Sequence, residues 1–170
     1  MDERREGEAT PAKNRTAVER KSDREMVVTR TVNGPKRLVF EAWTKAELFR
    51  RWWVPKSSGM TLLSCEMDVR VGGKYRLVFR HEASTMDFFG TYVEVTPYSR
   101  LVWTNEEGDS GETVTTVTFD ESAGKTLLVV HELYPSKEAL EASGSTDAMP
   151  ETLDQLDELL ASVESSSATK

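Results

Sequence analysis

The side chains able to do chemistry are few in this sequence. His81 and His131 are the only histidines, and no third or fourth ligand stands at metal spacing from either. No metal site and no cofactor are therefore expected. His131 and Glu132 are neighbours on a predicted strand and point to opposite faces, so they cannot form one site together. His131 is read as a hydrogen-bonding group inside a cavity, against the plainer alternative of a satisfied or exposed strand histidine. The lone Cys65 excludes an internal disulfide and a thiolate cage, and a core thiol is the simpler account of it. Gly72-Gly73 lies between two predicted strands, whereas a phosphate cradle needs a helix directly after it. A hairpin turn explains the pair. No Gly-x-Ser-x-Gly elbow is present. Glu66 and Asp68 have the residue types of a glycosidase pair, but nothing sets their separation, and both read as sheet-surface carboxylates. Arg70 and Glu94 are expected to serve as a structural ion pair. No catalytic residue is assigned.

The aromatic side chains offer more. Trp52 and Trp53 are adjacent near the end of a predicted helix, about 100° apart around its axis. One should enter the core, and the other either covers a cavity mouth or caps the sheet edge. Strand alternation puts Tyr75, Leu77 and Phe79 on one face, Phe88, Gly90, Tyr92 and Glu94 on another, and Leu101 with Trp103 on a third. If these faces turn toward the last helix, a ligand-binding cavity is lined by Trp52, Trp53, Tyr75, Phe79, Phe88, Tyr92, Trp103 and His131. Met149, Leu153 and Leu156 of the helix complete it. For each of these residues core packing is the alternative, and a slip of one residue in register reverses every facing.

The elements that must position these residues follow from pattern. The chain has 170 residues, 38% hydrophobic and 30% charged, with a net charge of −7. This suits one domain with a real core. Runs such as Leu127-Leu128-Val129-Val130 are too short to span a bilayer. The start, Met1-Asp2-Glu3-Arg4-Arg5-Glu6, lacks a secretory apolar stretch, and a cytoplasmic location is expected. Residues 1–25 hold seven acidic and seven basic residues, with almost no large aliphatic side chain. Residues 1–24 therefore read as a disordered tail, 25–163 as the folded domain, and 164–170 as a second tail. The whole negative balance falls on the domain, which argues against nucleic-acid binding.

Met26–Val32 reads as a strand closed by the turn Asn33-Gly34-Pro35. Leu38, Val39, Ala42 and Trp43 then share one helical stripe. Thr44 with Glu47 has the form of a capping box for a second helix from Lys45 to Trp53. Six period-two stretches follow: Leu62–Val69, Lys74–Arg80, Met86–Thr96, Arg100–Asn105, Thr113–Asp120 and Thr126–Leu133. Turn-formers separate them, namely Gly72-Gly73, Pro97-Tyr98-Ser99, Glu107-Gly108-Asp109 and Ala123-Gly124, so an antiparallel meander is predicted. A small-residue loop, Pro135 to Asp147, includes one helical turn at Glu138–Glu141. Met149, Leu153, Leu156, Leu159, Leu160 and Val163 then form the apolar stripe of a last helix. Glu151, Asp154, Asp157 and Glu158 cover its other face.

This order, β-α-α-β-β-β-β-β-β-α, resembles the helix-grip superfamily of START lipid-transfer domains, plant pollen allergens and aromatic polyketide cyclases. Within it the chain is most similar to the branch named for the C-terminal domain of the activator of heat-shock-protein-90 ATPase. The residues behind the resemblance are Pro35, Val39-Phe40-Glu41-Ala42-Trp43-Thr44, Leu48 and Trp52-Trp53-Val54-Pro55. Further on are Asp68 to Arg76, Gly90 to Val95 and Leu101 to Thr104. One departure is the start of the last helix, where Thr146-Asp147-Ala148-Met149-Pro150 replaces the family's usual Gly-Trp. The resemblance implies an α+β helix-grip fold, with a curved antiparallel sheet wrapped around a long C-terminal helix and a cavity between them. It implies binding or transport of a hydrophobic small molecule (lipid, sterol or aromatic polyketide-like). The alternatives are a protein-interaction module, with a chaperone or another protein as partner, and third an enzyme of cyclase or hydrolase type. A monomer and a homodimer are both compatible with these residues.

Overall fold

The period-two region folds as the meander its turns predict, and the computed structural model describes residues 16–106, 111–143 and 148–168. In chain order the strands are β1 (Thr16–Arg20), β2 (Glu25–Val32), β3 (Thr61–Met67), β4 (Lys74–His81), β5 (Ser84–Thr96), β6 (Arg100–Asn105), β7 (Thr113–Ser122) and β8 (Lys125–Leu133). Helices α1 (Lys36–Thr44) and α2 (Ala46–Phe49), then a 3-10 turn (Lys56–Ser58), lie between β2 and β3. Helices α3 (Lys137–Ser143) and α4 (Met149–Ala168) follow β8. The strands form one eight-stranded sheet in the order β1-β2-β8-β7-β6-β5-β4-β3, and each neighbouring pair is antiparallel. This is the α+β helix-grip arrangement. No helix among the described residues is long and apolar enough to cross a membrane.

The sheet curls because β5 changes partners along its length. Ser84–Thr91 pairs with β4, whereas Tyr92–Thr96 pairs with β6. Gly90 sits at the changeover, where a Cβ would lie 1.8 Å from the Thr104 carbonyl oxygen. Only a residue without a side chain lets the two backbones approach that closely. The β7–β8 hairpin closes through Ala123 and Gly124 at φ 55° and 78°, the left-handed pair of a type I′ turn.

The core lies between the concave face and the helices. Val28, Val32, Leu101, Val117, Leu128 and Val130 project from the sheet, and Leu153, Leu156 and Leu160 from α4, all buried in one cluster with Val39 and Trp43 of α1. Each such aliphatic side chain contributes about 1.5–3 kcal/mol of burial, so the α4 stripe is a large block of the helix stabilisation. Two polar clasps hold the same helix. Arg30, only 3% exposed, donates to Asp154 at 2.8 Å and also bonds Asp157. Its guanidinium reaches Thr16 of β1 at 2.8 Å as well. On the other flank Gln155 donates to the carbonyls of Trp52 and Val54, each at 2.9 Å, and accepts from the Lys56 amide. Two acids of the helix's charged face therefore pair with a buried cation.

Several expectations change. Thr16–Arg20 lies inside the predicted tail yet pairs with β2, in register from Thr16↔Arg30 to Arg20↔Met26. An edge strand is held by backbone hydrogen bonds, which composition does not report. Helix α4 runs on through Ala168, past the boundary at 163. The second helix covers only Ala46–Phe49, and its N-cap, Lys45, makes no side-chain capping bond. The Thr44 hydroxyl donates instead to the Phe40 carbonyl four residues back, so the capping box does not form. Arg70 and Glu94 pair elsewhere, with Asp68 and Arg100 respectively, because each has a nearer partner in its own turn or hairpin. The helical turn near Glu138 extends to Lys137–Ser143. The turn Glu107-Gly108-Asp109 and the segment Thr146-Asp147 lie outside the described residues.

Removing one partner of a buried charge pair is costly, since the other is left uncompensated. Arg30→Ala is expected to lower unfolding free energy by about 3 kcal/mol. Asp154→Asn should cost less than about 1 kcal/mol, because Asp154 is 39% exposed and screened. Urea midpoints of the two variants check this, and a reversed ranking would remove the clasp from the account of stability.

Candidate functional site: the polar end of the concave face

Directly opposed residues of an antiparallel pair project to the same side of the sheet. The register therefore draws a row across the concave face: Met26 of β2, Glu132 of β8, Thr115 of β7, Trp103 of β6 and Tyr92 of β5. A second row holds Thr113 opposite Asn105, and Gly90 opposite Tyr75, which opposes Met67. Leu128 and Val130 of β8, buried under the helices, mark this as the inward side.

Aromatic rings cover most of it. Trp103 meets Trp43 at 5.9 Å and Tyr92 at 6.3 Å between ring centroids. Tyr92 continues to Tyr75 at 5.8 Å, and Trp43 to Trp52 at 4.9 Å and Trp53 at 5.8 Å. Phe79 and Phe88 form an edge-to-face pair at 5.3 Å. These separations suit the quadrupole of each ring, and each pair adds about 0.5–1.5 kcal/mol beyond area burial. The Trp52 indole donates to the Ala42 carbonyl, whereas the buried Trp43 Nε1 has no acceptor among the described residues. Trp103 stays half-buried at the centre of this face.

Beside the rings runs a chain of polar groups. The Tyr75 hydroxyl lies 2.9 Å from both the Thr104 carbonyl and Asn105 Oδ1. Asn105 Nδ2 donates to Thr115 Oγ1 at 2.9 Å, and the Thr115 hydroxyl donates to Glu132 Oε1 at 3.2 Å. Burial pushes the Glu132 carboxyl up to about 6, against the smaller opposing effects of Thr115 and His131. Burial likewise raises the Tyr92 phenol well above its ordinary range and the Cys65 thiol above its own, with Arg50 opposing. The raised thiol favours the neutral form and fits the reading of Cys65 as a core group.

The structure brings most of the predicted lining residues together. Trp52, Tyr75, Phe79, Tyr92, Met149, Leu153 and Leu156 are buried in one cluster, with Trp53 and Trp103 packed on it. Phe88 shares the face but is 36% exposed. His131 is a correction: it lies on the outer face, with Nε2 2.8 Å from Glu25 Oε1, since alternation that buries Leu128 and Val130 turns residue 131 outward. The same alternation turns Glu132 inward. Sequence reasoning missed Glu132, although a carboxylate continuing the apolar face of Leu128 and Val130 was a readable signal. It also missed Trp43, whose ring touches Trp52, Trp53 and Trp103.

Two surface depressions lie largely outside this face. One of about 490 Å³ lies along the outer side of β3–β5, lined by Glu66, Lys74, Arg76, Asp87 and Phe89, and reaches Tyr75. One of about 170 Å³ lies between Arg51, Lys56 and the α4 residues Gln155 and Glu158. Among the described residues no three His, Cys, Asp or Glu side chains gather to hold a metal.

Comparison with known proteins places this arrangement. A crystal structure of a protein from Rhodobacter sphaeroides is similar, with a TM-score of 0.79 at 23% identity, over 87% of this chain and 99% of that one. A protein from Nitrosomonas europaea gives 0.75 at 23% identity, over 85% and 99%. One from Chromobacterium violaceum gives 0.70 at 27% identity, over 81% and 97%. The first two likenesses establish the fold alone. No curated protein sequence matches the chain. Residues 33–161, from the turn before α1 into the last turns of α4, match the family described as activator of Hsp90 ATPase homolog 1-like protein. The chain belongs to that family.

Proposed function

We propose that this protein binds a hydrophobic small molecule, as a cytoplasmic carrier or sequestering protein, between the concave face of the sheet and α4. The observation behind this reading is the state of Trp103. It is a large ring left half-buried on this face, packed on Trp43, whose buried indole N–H has no acceptor among the described residues, with the Glu132 carboxyl two strands away in the same row. Ligand sites are concave and mostly apolar, with a few convergent polar groups. A well-filled core of this size would bury Trp103 and supply the Trp43 N–H with an acceptor. The rings fill much of the space, so a ligand enters by moving them, and Phe88 at the exposed margin is the ring with room to turn. The resemblance to lipid-transfer and cyclase folds supports the same reading.

Apolar burial at about 25 cal/mol/Å² gives micromolar affinity once association costs are subtracted. Amide NMR titration against fatty acids, sterols, flavonoids and polyketides is expected to give saturable shifts around residues 75–103 and 149–160 for at least one class. Trp103→Ala and Tyr92→Ala should each weaken that binding about tenfold, the cost of losing one well-packed ring. Unchanged affinity in both would exclude the concave face as the site.

The Glu132 carboxyl makes a second test of the same face. Its value in the fold lies above the ordinary one, so its protonation favours folding. That contribution is fully present below about pH 4.5, the ordinary value, and is lost as pH rises through about 6, for a total of about 2 kcal/mol. Glu132→Gln keeps an acceptor for Thr115 and removes the titration. The stability difference, wild type minus Glu132→Gln, should therefore fall by that amount between pH 4.5 and 7.5 in urea unfolding. A flat difference would mean that the carboxyl is solvated in the fold.

A further inference from the structure

Resting on the proposed pocket, the geometry points to the class of its ligand: we infer that the molecule is an organic amine, its ammonium group on Glu132 and its apolar body against Trp103 and Tyr92. An ionised carboxylate offers about four lone-pair sites, and the Thr115 hydroxyl fills one, at 3.2 Å. No ion pair to Glu132 forms among the described residues, and Arg30 on the flanking strand and His131 on its own pair elsewhere. Arg30 is held by Asp154 and Asp157. Arg24 reaches the Pro135 carbonyl. His131 turns outward to Glu25.

The row that holds Glu132 continues two strands over to Trp103 and three to Tyr92. Strands are spaced about 4.8 Å apart, so the Glu132 and Trp103 backbones are about 10 Å apart, a span that one ring-bearing amine bridges. The aromatic faces add cation–π attraction to a charge near them. The net charge of −7 draws cations toward the domain and repels carboxylate ligands. Fatty acids and other anionic lipids are thus the disfavoured members of the hydrophobic class, and amines the favoured ones.

Three isosteric probes separate this inference from the pocket reading beneath it: 1-naphthylmethylamine, 1-naphthalenemethanol and 1-naphthoate. Each is titrated into the full chain at pH 7.5 and followed by amide NMR. The amine is expected to bind about tenfold more tightly than the alcohol, the size of one charge-assisted hydrogen bond, with naphthoate weakest. Glu132→Gln should bring the amine down to the level of the alcohol, so that the preference of about tenfold is lost. If that variant does not fold, the wild type at pH 5 serves instead: Glu132 is then mostly protonated, the amine stays charged, and the preference should collapse. Equal binding of amine and alcohol at pH 7.5 would overturn the inference and leave the pocket intact. Saturable binding of none of the three would overturn both.

Discussion

The apolar stripe of α4 must be covered, and the covering surface is a sheet that curls because β5 exchanges β4 for β6 at Gly90. The other features depend on that contact. With Leu153, Leu156 and Leu160 lodged among Val28, Leu101, Leu128 and Val130, the helix leaves its polar flanks at two places on the sheet side. Arg30 engages one flank and Gln155 the other. The first ties down β1 and β2, and the second ties down the segment that carries Trp52 and Trp53. Apolar burial is not directional, so it sets that the helix lies on the sheet. The charged and amide clasps set how it lies there.

That placement gives the concave face two regions of different character. Under the middle of α4 the side chains are aliphatic and closed to water. Along the row from Glu132 to Tyr92 they become aromatic and polar, with a chain of hydrogen bonds from Tyr75 through Asn105 and Thr115 to the carboxyl. A half-buried, desolvated carboxyl with one neutral donor is expensive in a domain that needs it only for packing. An apolar residue there would extend the Leu128 and Val130 face without penalty. The cost falls in the same row as a half-buried tryptophan, which is the arrangement expected when stability is given up for recognition.

The helix stripe, the turn residues and the two-residue period were all legible in advance, because each is a local pattern read directly by backbone geometry. What went unread depends on partners distant in sequence. Thr16–Arg20 becomes a strand because β2 offers an unpaired edge, although its composition suggests a solvated tail. Thr44 bonds back to Phe40 and leaves the cap position to Lys45. Arg70 and Glu94, plausible mates by type, each find a nearer partner. His131 and Glu132 are the instructive pair. Alternation separated them correctly, but which of the two faced inward depended on whether Leu128 and Val130 met a helix.

The sequence by itself therefore determined the order of elements from β2 through β8 to the last helix and the amphipathic faces, since these follow from spacing, turn chemistry and the shortness of the connections. Its motifs carried the resemblance to the helix-grip class. Only the tertiary structure decided which face closed on α4, that β1 joined the sheet, and that a carboxyl and a tryptophan shared one row with few partners. The physical reason is that register and facing are collective. A single residue's slip inverts a strand at no local cost, and only the simultaneous burial of many side chains against the helix selects one inversion over the other.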